Sequence, residues 1–569
     1  MFRKKLRKAT LSLTIMVIFA VLFSQVGLAS TILEEVRGKN GMVATASPYA
    51  SEAALEILKA GGNAVDAAVA AAFAIGVAEP NASGLGGEGF MVIYLAETDQ
   101  AISIDYRSTA PKASVPALEG QRYPNTGWTS VATPGTVAGL AMALEKYGTM
   151  TLAEVMAPAI RLAEEGFPVS EVLVGVINDN YEKILNDPAM SAVYLDDMLP
   201  PEAGYVLKNP DLAKTMRIIA EQGPDAFYYG EIGQMIVDAV QANGGYLSME
   251  DLAEYRAKLR WPARGSYRGY DIIAAGPPVG GATVIEALHI MENFDIPSMG
   301  YPSVESVHIM AEALKRAYAD NRNYIGDPEF DYVPLFDLLS KDYARERAFE
   351  IPLDAMTPMS EIRPGELQVL KVAATGTEGF YESPSTTHIS VVDKDRNMVA
   401  LTQTISSFFG AAVIPPGTGI VLNNEMANFS SPTAPVNSLE AGKRMKTLIS
   451  PTLVLKDGAP FLTIGTPGAA RIISTVTILL SNIIDHGMGL QDAIEAPRFY
   501  VRDNTELLEH ESRFAPEIIE ALKGMGYSVN ELGDYDLYFG GAQGVIIDQE
   551  TGTLIGGADP RRDGAAIGF

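Results

Sequence analysis

Two threonines of the chain could carry hydroxyl chemistry. An alternating segment over 387–393 directly follows Thr386. A second alternating segment, over 398–404, ends at Thr404. Side chains that alternate with period two are typical of β-strands, and a turn centred near Asp395 joins the two segments as a hairpin. Its register places Thr404 opposite Thr386 to within one residue, which predicts two hydroxyl groups at the open end of the hairpin.

Threonine can act as a nucleophile when it is the first residue of a chain. Its own α-amino group, with a pKa of roughly 7.7 to 8.0, then accepts the hydroxyl proton at short range. Because Thr386 is internal, this chemistry requires cleavage of the Ser385–Thr386 bond, most economically by the same hydroxyl group. Judged from these residues alone, a threonine at the start of a strand more often has only a structural role, as a β-branched residue. Both the catalytic and the structural interpretation therefore stay open at this point.

The composition narrows the remaining chemistry. The chain has 569 residues, of which 47% are hydrophobic and 20% charged, as is ordinary for a globular enzyme with a large core. It contains no cysteine, no G-x-S-x-G elbow, no H-E-x-x-H pair and no P-loop. A net charge of −27 argues against nucleic acid as a partner. We expect neither a metal ion nor an organic cofactor, because the histidines stand singly and are interpreted as core or surface residues. They are His289, His308, His388, His486 and His510.

The first thirty residues have the pattern of an export signal. Positive residues over 3–8 precede an apolar run over 11–23, and Ala29 comes directly before the first polar residue of the following segment. We interpret 1–29 as a signal peptide, which predicts an exported protein, periplasmic or extracellular. An uncleaved membrane anchor is the less favoured alternative, because the apolar run is shorter than the about 20 residues that span a bilayer. Stable membrane insertion is therefore not expected.

The rest of the chain predicts strands at both ends and a mainly helical region over 134–350. The helix over 64–77 is so rich in alanine that we expect it to be buried on most sides. Residues 84–89 satisfy G-x-G-x-x-G, but a helix precedes them and a strand follows, the reverse of the dinucleotide fingerprint. A tight turn in which backbone approaches backbone is the better interpretation. Further helices are predicted over 51–59, 136–146, 152–165, 212–222, 231–242, 282–292, 304–321 and 471–484. Further strands are predicted over 42–46, 90–95, 102–107, 419–422, 452–455, 461–464, 544–547 and 554–556.

Arg107 ends the predicted strand over 102–107. A charged residue at this position is usually a solvated edge residue. It could equally be a clamp for a carboxylate, because guanidinium makes bidentate contacts with that group.

Several short segments are far more specific together than any one of them. They are Gly61-Gly62-Asn63-Ala64-Val65-Asp66-Ala67-Ala68, Ser83 to Phe90, Asp105 to Pro111, Pro134 to Gly139, Thr386-Thr387-His388, Leu422 to Met426, Gly465 to Gly468 and Ala558 to Arg561. This set resembles the γ-glutamyltranspeptidase family of N-terminal-nucleophile hydrolases, over essentially the whole chain after the leader. The resemblance implies an α+β fold, a four-layer αββα sandwich, made as a precursor that cuts itself. The implied large subunit is 30–385 and the small subunit is 386–569, and the two stay together as one domain.

The resemblance assigns roles to the hairpin threonines. By similarity, Thr386 cuts the bond that joins it to Ser385 and then accepts the acyl group. Thr404 is expected to hydrogen-bond to it, in agreement with the hairpin register. Gly468 and Ala469 are expected to donate backbone N–H groups to the oxyanion, where loss of one donor typically costs on the order of 3 kcal/mol. The family commonly has two glycines at these positions, and alanine keeps the N–H group.

The expected carboxylate-binding residues depart from the family in part. Arg107 matches the family's clamp on the substrate α-carboxylate, which makes the solvated-edge interpretation the weaker one. Two adjacent serines that also hold this carboxylate in the family are replaced here by Thr447 and Leu448. One hydroxyl group of that pair is therefore retained.

The residues expected to bind the substrate amino group are Ser406, Glu425 and Asn428. The family usually has aspartate where this chain has Asn428, so one negative charge is missing, a contact of roughly 1.5 to 3 kcal/mol when charge-assisted. A glutaryl group, which lacks the amine, should be tolerated better, as in the branch similar to cephalosporin acylases. The segment over 429–450 is also short, which predicts an open pocket without a lid loop.

Together these residues predict an enzyme that transfers a γ-glutamyl or similar acyl group from an amide donor such as glutathione to water or an amine. Within the enzyme class the alternatives are a glutaryl or cephalosporin acylase and a poly-γ-glutamate hydrolase, which Asn428 and Leu448 keep open. Outside it, the alternative is an unprocessed, inactive homologue that acts as a binding protein. Retention of Thr386, Thr404 and Arg107 argues against that alternative.

Overall fold

Two antiparallel β-sheets of seven strands each form the centre of the protein. The computed structural model describes residues 35–367, 385–432, 434–502 and 505–569. The predicted signal peptide and most of the loop that leads to Thr386 lie outside the described residues.

The strands, in chain order, are β1 Val36–Gly38, β2 Gly41–Thr45, β3 Glu88–Leu95, β4 Gln100–Tyr106, β5 Phe167–Pro168, β6 Val206–Leu207, β7 Lys258–Arg260, β8 Ala263–Tyr267, β9 Tyr270–Ala274, β10 Thr387–Asp393, β11 Met398–Thr404, β12 Thr452–Lys456, β13 Ala459–Gly465, β14 Phe499–Val501, β15 Leu507–Glu511, β16 Ser528–Leu532, β17 Gln543–Ile547, β18 Leu554–Ala558 and β19 Ala565–Gly568. The first large sheet has the order β1-β18-β17-β13-β12-β9-β8, and the second has the order β19-β2-β10-β11-β3-β4-β7. Strands β14, β15 and β16 form a small sheet, and β5 pairs with β6.

The α-helices surround these sheets. They are Pro48–Lys59, Ala64–Ala78, Ser114–Ala117, Thr136–Tyr147, Leu152–Glu165, Glu171–Asp179, Tyr181–Leu185, Pro188–Tyr194, Pro210–Gln222, Asp225–Tyr228, Glu231–Ala242, Met249–Glu254, Gly281–Met291, Ile296–Met299, Val304–Tyr324, Leu335–Leu338, Lys341–Phe349, Arg471–Ile484, Leu490–Glu495 and Pro516–Gly524. No helix in the described ranges is both long enough and apolar enough to cross a membrane.

The two large sheets face each other, and helices cover both outer faces. Helices Ala64–Ala78 and Thr136–Tyr147 pack on the second sheet, whereas Gly281–Met291, Arg471–Ile484 and Leu490–Glu495 pack on the first. This arrangement confirms the predicted four-layer αββα sandwich. It places the start of β10, and therefore Thr386, at the edge of the space between the sheets.

Strand β10 shows why the second sheet is apolar on both faces. Ile389 and Val391 pack beneath the alanine-rich helix, whereas Val392 packs between the sheets with Met398 and Ala400. Successive side chains of a strand point to opposite faces, so a sheet covered on both sides needs apolar residues at nearly every position.

The alanine-rich helix Ala64–Ala78 is buried at all of its positions, as predicted. Asn63 caps it: its side chain accepts from the N–H groups of Val65 and Asp66, and Asp66 Oδ2 accepts from Asn63 N at 2.8 Å. A Cβ added at Gly76 would lie 2.9 Å from Gly84 Cα, so the helix packs directly on the glycine-rich turn. Small side chains allow this close packing of helix on backbone.

The glycine-rich turn brings backbone against backbone, as predicted. A Cβ at Gly86 would lie 2.2 Å from the Val421 carbonyl oxygen, and one at Gly87 would lie 2.3 Å from that of Thr404. Any larger residue would push the turn away from the hairpin that carries Thr404. Its role is therefore to hold the end of β11.

Several elements match the predictions, and others correct them. The hairpin over 387–404 and the helices over 152–165, 231–242 and 471–484 have the predicted bounds. The prediction of a mainly helical 134–350 is incomplete, because this region also supplies the five short strands β5 to β9. The predicted strand over 419–422 is wrong. Gly419 has a φ of +67°, and Leu422 forms only an isolated bridge with Gly86.

Chain segments that precede and follow Ser385 alternate within both large sheets. In the second sheet β10 and β11 lie between β2 and β3, and the C-terminal β19 pairs with β2. In the first sheet β18, β17, β13 and β12 lie between β1 and β9. Neither part of the chain forms either large sheet alone, and the described residues of 35–569 belong to one compact unit.

Candidate active site

The two predicted hydroxyl groups meet at the open end of the β10–β11 hairpin. Thr387 pairs with Gln403, so Thr386 and Thr404 are the next opposed residues. Thr386 Oγ1 donates a hydrogen bond to Thr404 Oγ1 at 3.0 Å, and Thr404 Oγ1 also accepts from Ser406 N at 2.9 Å. The predicted register is confirmed. The acceptor fixes the direction of the Thr386 hydroxyl group.

The main chain at Thr386 is held on both sides. Ser385 Oγ donates to the Asn81 carbonyl oxygen at 3.3 Å, and the Thr386 carbonyl oxygen accepts from Arg562 Nη1 at 2.8 Å. Thr386 has a φ of +100°, which is rare for a β-branched residue and costs of order 1 to 3 kcal/mol. Such strained backbone clusters at functional positions. Here it coincides with the bond that the sequence marks for cleavage.

The predicted oxyanion donors Gly468 and Ala469 lie between the end of β13 and the helix that begins at Arg471. Their φ angles are +133° and +50°, and their carbonyl oxygens accept from Arg471 N at 3.0 Å and Ile472 N at 3.1 Å. The first N–H groups of a helix have no partner within the helix and favour negative charge.

This loop follows the strand end that lies against the start of β10. A Cβ added at Gly465 would lie 2.4 Å from His388 Nδ1. The structure thus brings the predicted oxyanion loop and the β10–β11 hairpin to the same end of the two sheets.

Arg107 is fully buried, so the interpretation as a solvated edge residue is wrong. It forms an ion pair with Glu88 through Nη1, and its Nη2 lies 3.2 Å from Glu425 Oε2. Nη2 also donates to the Met445 carbonyl oxygen at 3.1 Å. Burial lowers the pKa of Arg107, and the Glu425 carboxylate opposes that effect.

Asn428 joins the three residues predicted to bind an amine. Its Nδ2 donates to Glu425 Oε2 at 2.6 Å and to Ser406 Oγ at 3.1 Å. Burial raises the pKa of Glu425, whereas Arg107 and Asn428 favour its ionised form. The carboxylate expected to meet a substrate ammonium is therefore already bound to a cation and an amide donor.

Thr447 and Leu448 make their contacts with other parts of the protein. Leu448 is 3% exposed and belongs to the large hydrophobic core that also contains Ile285 and Ile473. Thr447 is half-buried, and its N–H donates to the Pro278 carbonyl oxygen at 3.4 Å. Their predicted contact with a substrate carboxylate stays a prediction.

Sequence reasoning missed Glu88, Arg562 and Glu79. Glu88 is the one charged residue within the glycine-rich turn, and Arg562 directly follows the quoted segment that ends at Arg561. Both positions were therefore next to recognised motifs, which is a usable signal. Glu79 had no signal, because it follows the end of a helix and no motif includes it; its carboxylate contacts Arg562 Nη1 at 2.6 Å.

His388 is a core residue rather than a base. Its ring nitrogens lie 2.8 Å from Thr402 Oγ1 and 3.1 Å from Ser390 Oγ, and burial lowers its pKa to about 3. Across the described ranges no group of three or more acidic or histidine side chains has the arrangement of a metal site.

Comparisons with known proteins agree with this geometry. The sequence profile of the family described as Gamma-glutamyltranspeptidase matches residues 50–569. The chain is 39% identical to the glutathione hydrolase proenzyme of Escherichia coli (strain K12), covering 94% of this chain and 93% of the relative. It is 40% identical to the acylase ACY 1 proenzyme of Pseudomonas sp. (strain SE83), covering 93% and 94%.

Among solved structures, the cephalosporin acylase of Bacillus halodurans superposes with a TM-score of 0.85 at 33% identity, covering 94% of this chain and 97% of that one. The profile match and the relatives extend over the hairpin, the oxyanion loop and the buried Arg107 cluster. The chain is therefore an enzyme of the γ-glutamyltranspeptidase family.

Proposed function

We propose that this protein cuts itself between Ser385 and Thr386 and then uses Thr386 to move an acyl group from a γ-glutamyl amide such as glutathione to water or an amine. The observation that carries the proposal is the hydrogen bond of 3.0 Å from Thr386 Oγ1 to Thr404 Oγ1 at the start of a strand. It orients a hydroxyl group on the residue whose preceding peptide bond is to be cut. Glutathione hydrolase proenzymes among the relatives support this donor class.

The processing step needs only the chain and one water molecule. Thr386 Oγ1 attacks the Ser385 carbonyl carbon, the C–N bond breaks, and the nitrogen takes the hydroxyl proton. The resulting ester is hydrolysed by water, which leaves a carboxylate on Ser385 and a free α-amino group on Thr386.

The same residue then serves in turnover. The free amine takes the Thr386 hydroxyl proton as Oγ1 attacks the acyl carbon of the donor, and Gly468 and Ala469 N–H groups face the oxyanion. The proton passes to the leaving amine as the C–N bond breaks. Water or a second amine then attacks the ester and releases Thr386 Oγ1. Burial of Arg107 and Glu425 next to Asn428 supplies the charged end of the acyl site.

A second candidate is a glutaryl acylase, and the contacts of Glu425 favour it. Glu425 Oε2 already accepts from Asn428 Nδ2 at 2.6 Å and from Arg107 Nη2 at 3.2 Å. An ammonium group on the substrate would have to compete with both donors. A glutaryl group makes no such demand, and acylases among the relatives are consistent with that donor.

The first experiment is a denaturing gel with N-terminal sequencing. The wild-type chain should give two bands, with the smaller beginning Thr-Thr-His, and Thr386→Ala should give one uncut band with activity reduced by on the order of 10⁴-fold or more. Thr386→Ser keeps the hydroxyl group and should still be cut. Efficient cleavage of Thr386→Ala would remove Thr386 from the processing role.

The second experiment compares initial rates on a γ-glutamyl anilide and the matching glutaryl anilide. A γ-glutamyl transferase should prefer the first. Equal rates, or a preference for the glutaryl compound, would assign the acylase function instead.

Export follows from the leader predicted over 1–29 and is part of the proposal. The mature protein should begin at Ser30 and be recovered outside the cytoplasmic membrane. Recovery of the full-length chain with the membrane fraction would favour an anchored form.

A further inference from the structure

Arg562 connects the C-terminal end of the chain to the proposed nucleophile. It lies in the connection over 559–564, which crosses from β18 in the first sheet to β19 in the second. Its side chain is 2% exposed. Its Nη1 donates to the Thr386 carbonyl oxygen at 2.8 Å and to Glu79 Oε1 at 2.6 Å.

Glu79 fixes the guanidinium group from the helix side. It is the C-cap of helix Ala64–Ala78, and its own N–H donates to the Ile75 carbonyl oxygen at 2.7 Å. Burial raises the pKa of Glu79, and the Arg562 guanidinium opposes that rise. Hydrogen bonds between ionised groups are about twice as strong as neutral ones, so this contact holds Arg562 in one place.

The aliphatic stem of Arg562 packs against Gly541, which has no side chain and so leaves room for it. A Cβ added there would lie 2.8 Å from both Cγ and Cδ of Arg562. Gly541 N–H donates to Thr466 Oγ1 at 3.1 Å, two residues before Gly468. Arg562 therefore contacts Thr386 at its guanidinium group and packs with its stem against Gly541, whose N–H supports the loop that contains Gly468.

We infer that Arg562 is a positioning residue for Thr386, which it holds by the main-chain carbonyl group through a charged hydrogen bond anchored on Glu79. This inference rests on the proposed function of Thr386. The contact offsets the cost of the φ of +100° at Thr386, a conformation that a β-branched residue otherwise avoids. Since the carbonyl group stays in place when the preceding bond is cut, Arg562 acts in processing and in turnover.

The test is a pair of substitutions at Arg562, compared with a control substitution at a position outside the proposed site. Arg562→Met keeps the aliphatic stem and removes the donors, so kcat and the rate of processing should fall about 10- to 100-fold, the loss expected for one charged hydrogen bond. KM should stay within about threefold, because a residue that acts in orientation contributes to the transition state alone. Arg562→Lys keeps the charge and one donor and should lose about three- to tenfold. Arg396→Met removes a guanidinium that donates to the Gly552 carbonyl oxygen at 2.6 Å, so it is the control and should behave as wild type.

Rates are expressed per cut enzyme, with the cut fraction measured on a denaturing gel. Wild-type kcat in Arg562→Met would overturn the inference, as would equal losses in Arg562→Lys and Arg562→Met. If Arg562→Met does not fold, Arg562→Lys and Gly541→Ala decide together. Losses of about three- to tenfold in kcat at constant KM support the inference, and wild-type kcat in both contradicts it. An uncut wild-type chain would instead remove the proposed function itself.

Discussion

The proposed nucleophile end of the site, at Thr386, and its proposed acyl-binding end, at Arg107, are built by different means. At the nucleophile end one hairpin supplies both hydroxyl groups, joined by a neutral hydrogen bond of 3.0 Å. At the acyl-binding end Glu88, Arg107 and Glu425 come from separate segments and are all fully buried. One local pattern thus brings the two threonines together. The charged cluster proposed to bind the acyl group is instead assembled across more than 300 residues of sequence.

Of the variants that test this contrast, Arg107→Met should have the largest effect. It leaves the Glu88 and Glu425 carboxylates buried without their cation, so the free energy of unfolding should fall by about 3 to 5 kcal/mol. Urea unfolding in a Thr386→Ala background, where all chains are expected to be uncut, measures the change. Arg161→Met is the control. Its partner Glu56 is 2.5 Å away but both side chains are about half exposed, so a loss below about 1 kcal/mol is expected. Equal losses in the two variants would show that the buried cluster is not an energetic centre.

Thr404→Ala tests the nucleophile end. It removes the acceptor of the Thr386 hydroxyl group, so kcat should fall about 10- to 100-fold at nearly constant KM. Thr404→Ser keeps the hydroxyl group and should stay within about fivefold of wild type. Single-turnover kinetics on cut enzyme measure both variants. A change confined to KM would place Thr404 in acyl binding and remove the distinction between the two ends.

Asn428→Asp sharpens the contrast from the acyl-binding side. The new carboxylate faces Glu425, where Asn428 Nδ2 now donates at 2.6 Å, so a substrate ammonium would gain one anion beside Glu425. The ratio of γ-glutamyl to glutaryl rates should rise about tenfold, the value of one charge-assisted contact of roughly 1.4 kcal/mol. Thr386 chemistry is untouched, so the cut fraction on a gel should match wild type. An unchanged ratio would show that Glu425 and Asn428 do not contact the amine.

Ala469→Gly should have the smallest effect. Ala469 has a φ of +50°, a left-handed conformation that costs a residue with Cβ about 1 kcal/mol. Glycine removes this strain but makes the unfolded chain more flexible. The free energy of unfolding should therefore rise by between 0 and about 1 kcal/mol. The N–H group remains, and kcat should stay within about threefold. Ala239→Gly, in the interior of helix Glu231–Ala242, is the control and should lose about 0.5 to 1 kcal/mol. Thermal unfolding in which both variants lose the same amount would contradict the assignment of strain at Ala469.

Local patterns predicted the nucleophile end well. The alternation over 387–404 gave both strand bounds and the register that opposes Thr386 and Thr404, because a hairpin is determined by its own turn and pattern. The alanine content of 64–77 similarly predicted a helix buried on most sides, and the helix Ala64–Ala78 is buried at every position. Such features depend on neighbours in sequence.

Long-range features were harder to predict. The strand β8 alternates poorly because it lies at the edge of its sheet, and β19 is only half-buried. The role proposed for Arg562 depends on Thr386 and Glu79, which lie more than 150 residues away in sequence, and local periodicity carries no information about such contacts. Glu88 meets Arg107 across neighbouring strands, a pairing that the strand pattern alone does not specify. The resemblance to a known family supplied Arg107, but its burial between two carboxylates required the fold.

The alternation of early and late strands in both sheets has a consequence for refolding. Once the Ser385–Thr386 bond is cut, β10 and β11 remain between strands of the other fragment, so the pieces can part only if both sheets come apart. Recovery from denaturant then becomes a bimolecular reaction whose yield depends on protein concentration, whereas an uncut Thr386→Ala chain should refold at a rate independent of concentration. The uncut chain can unfold and refold reversibly by itself. After the cut, the native state is maintained mainly by a slow rate of unfolding.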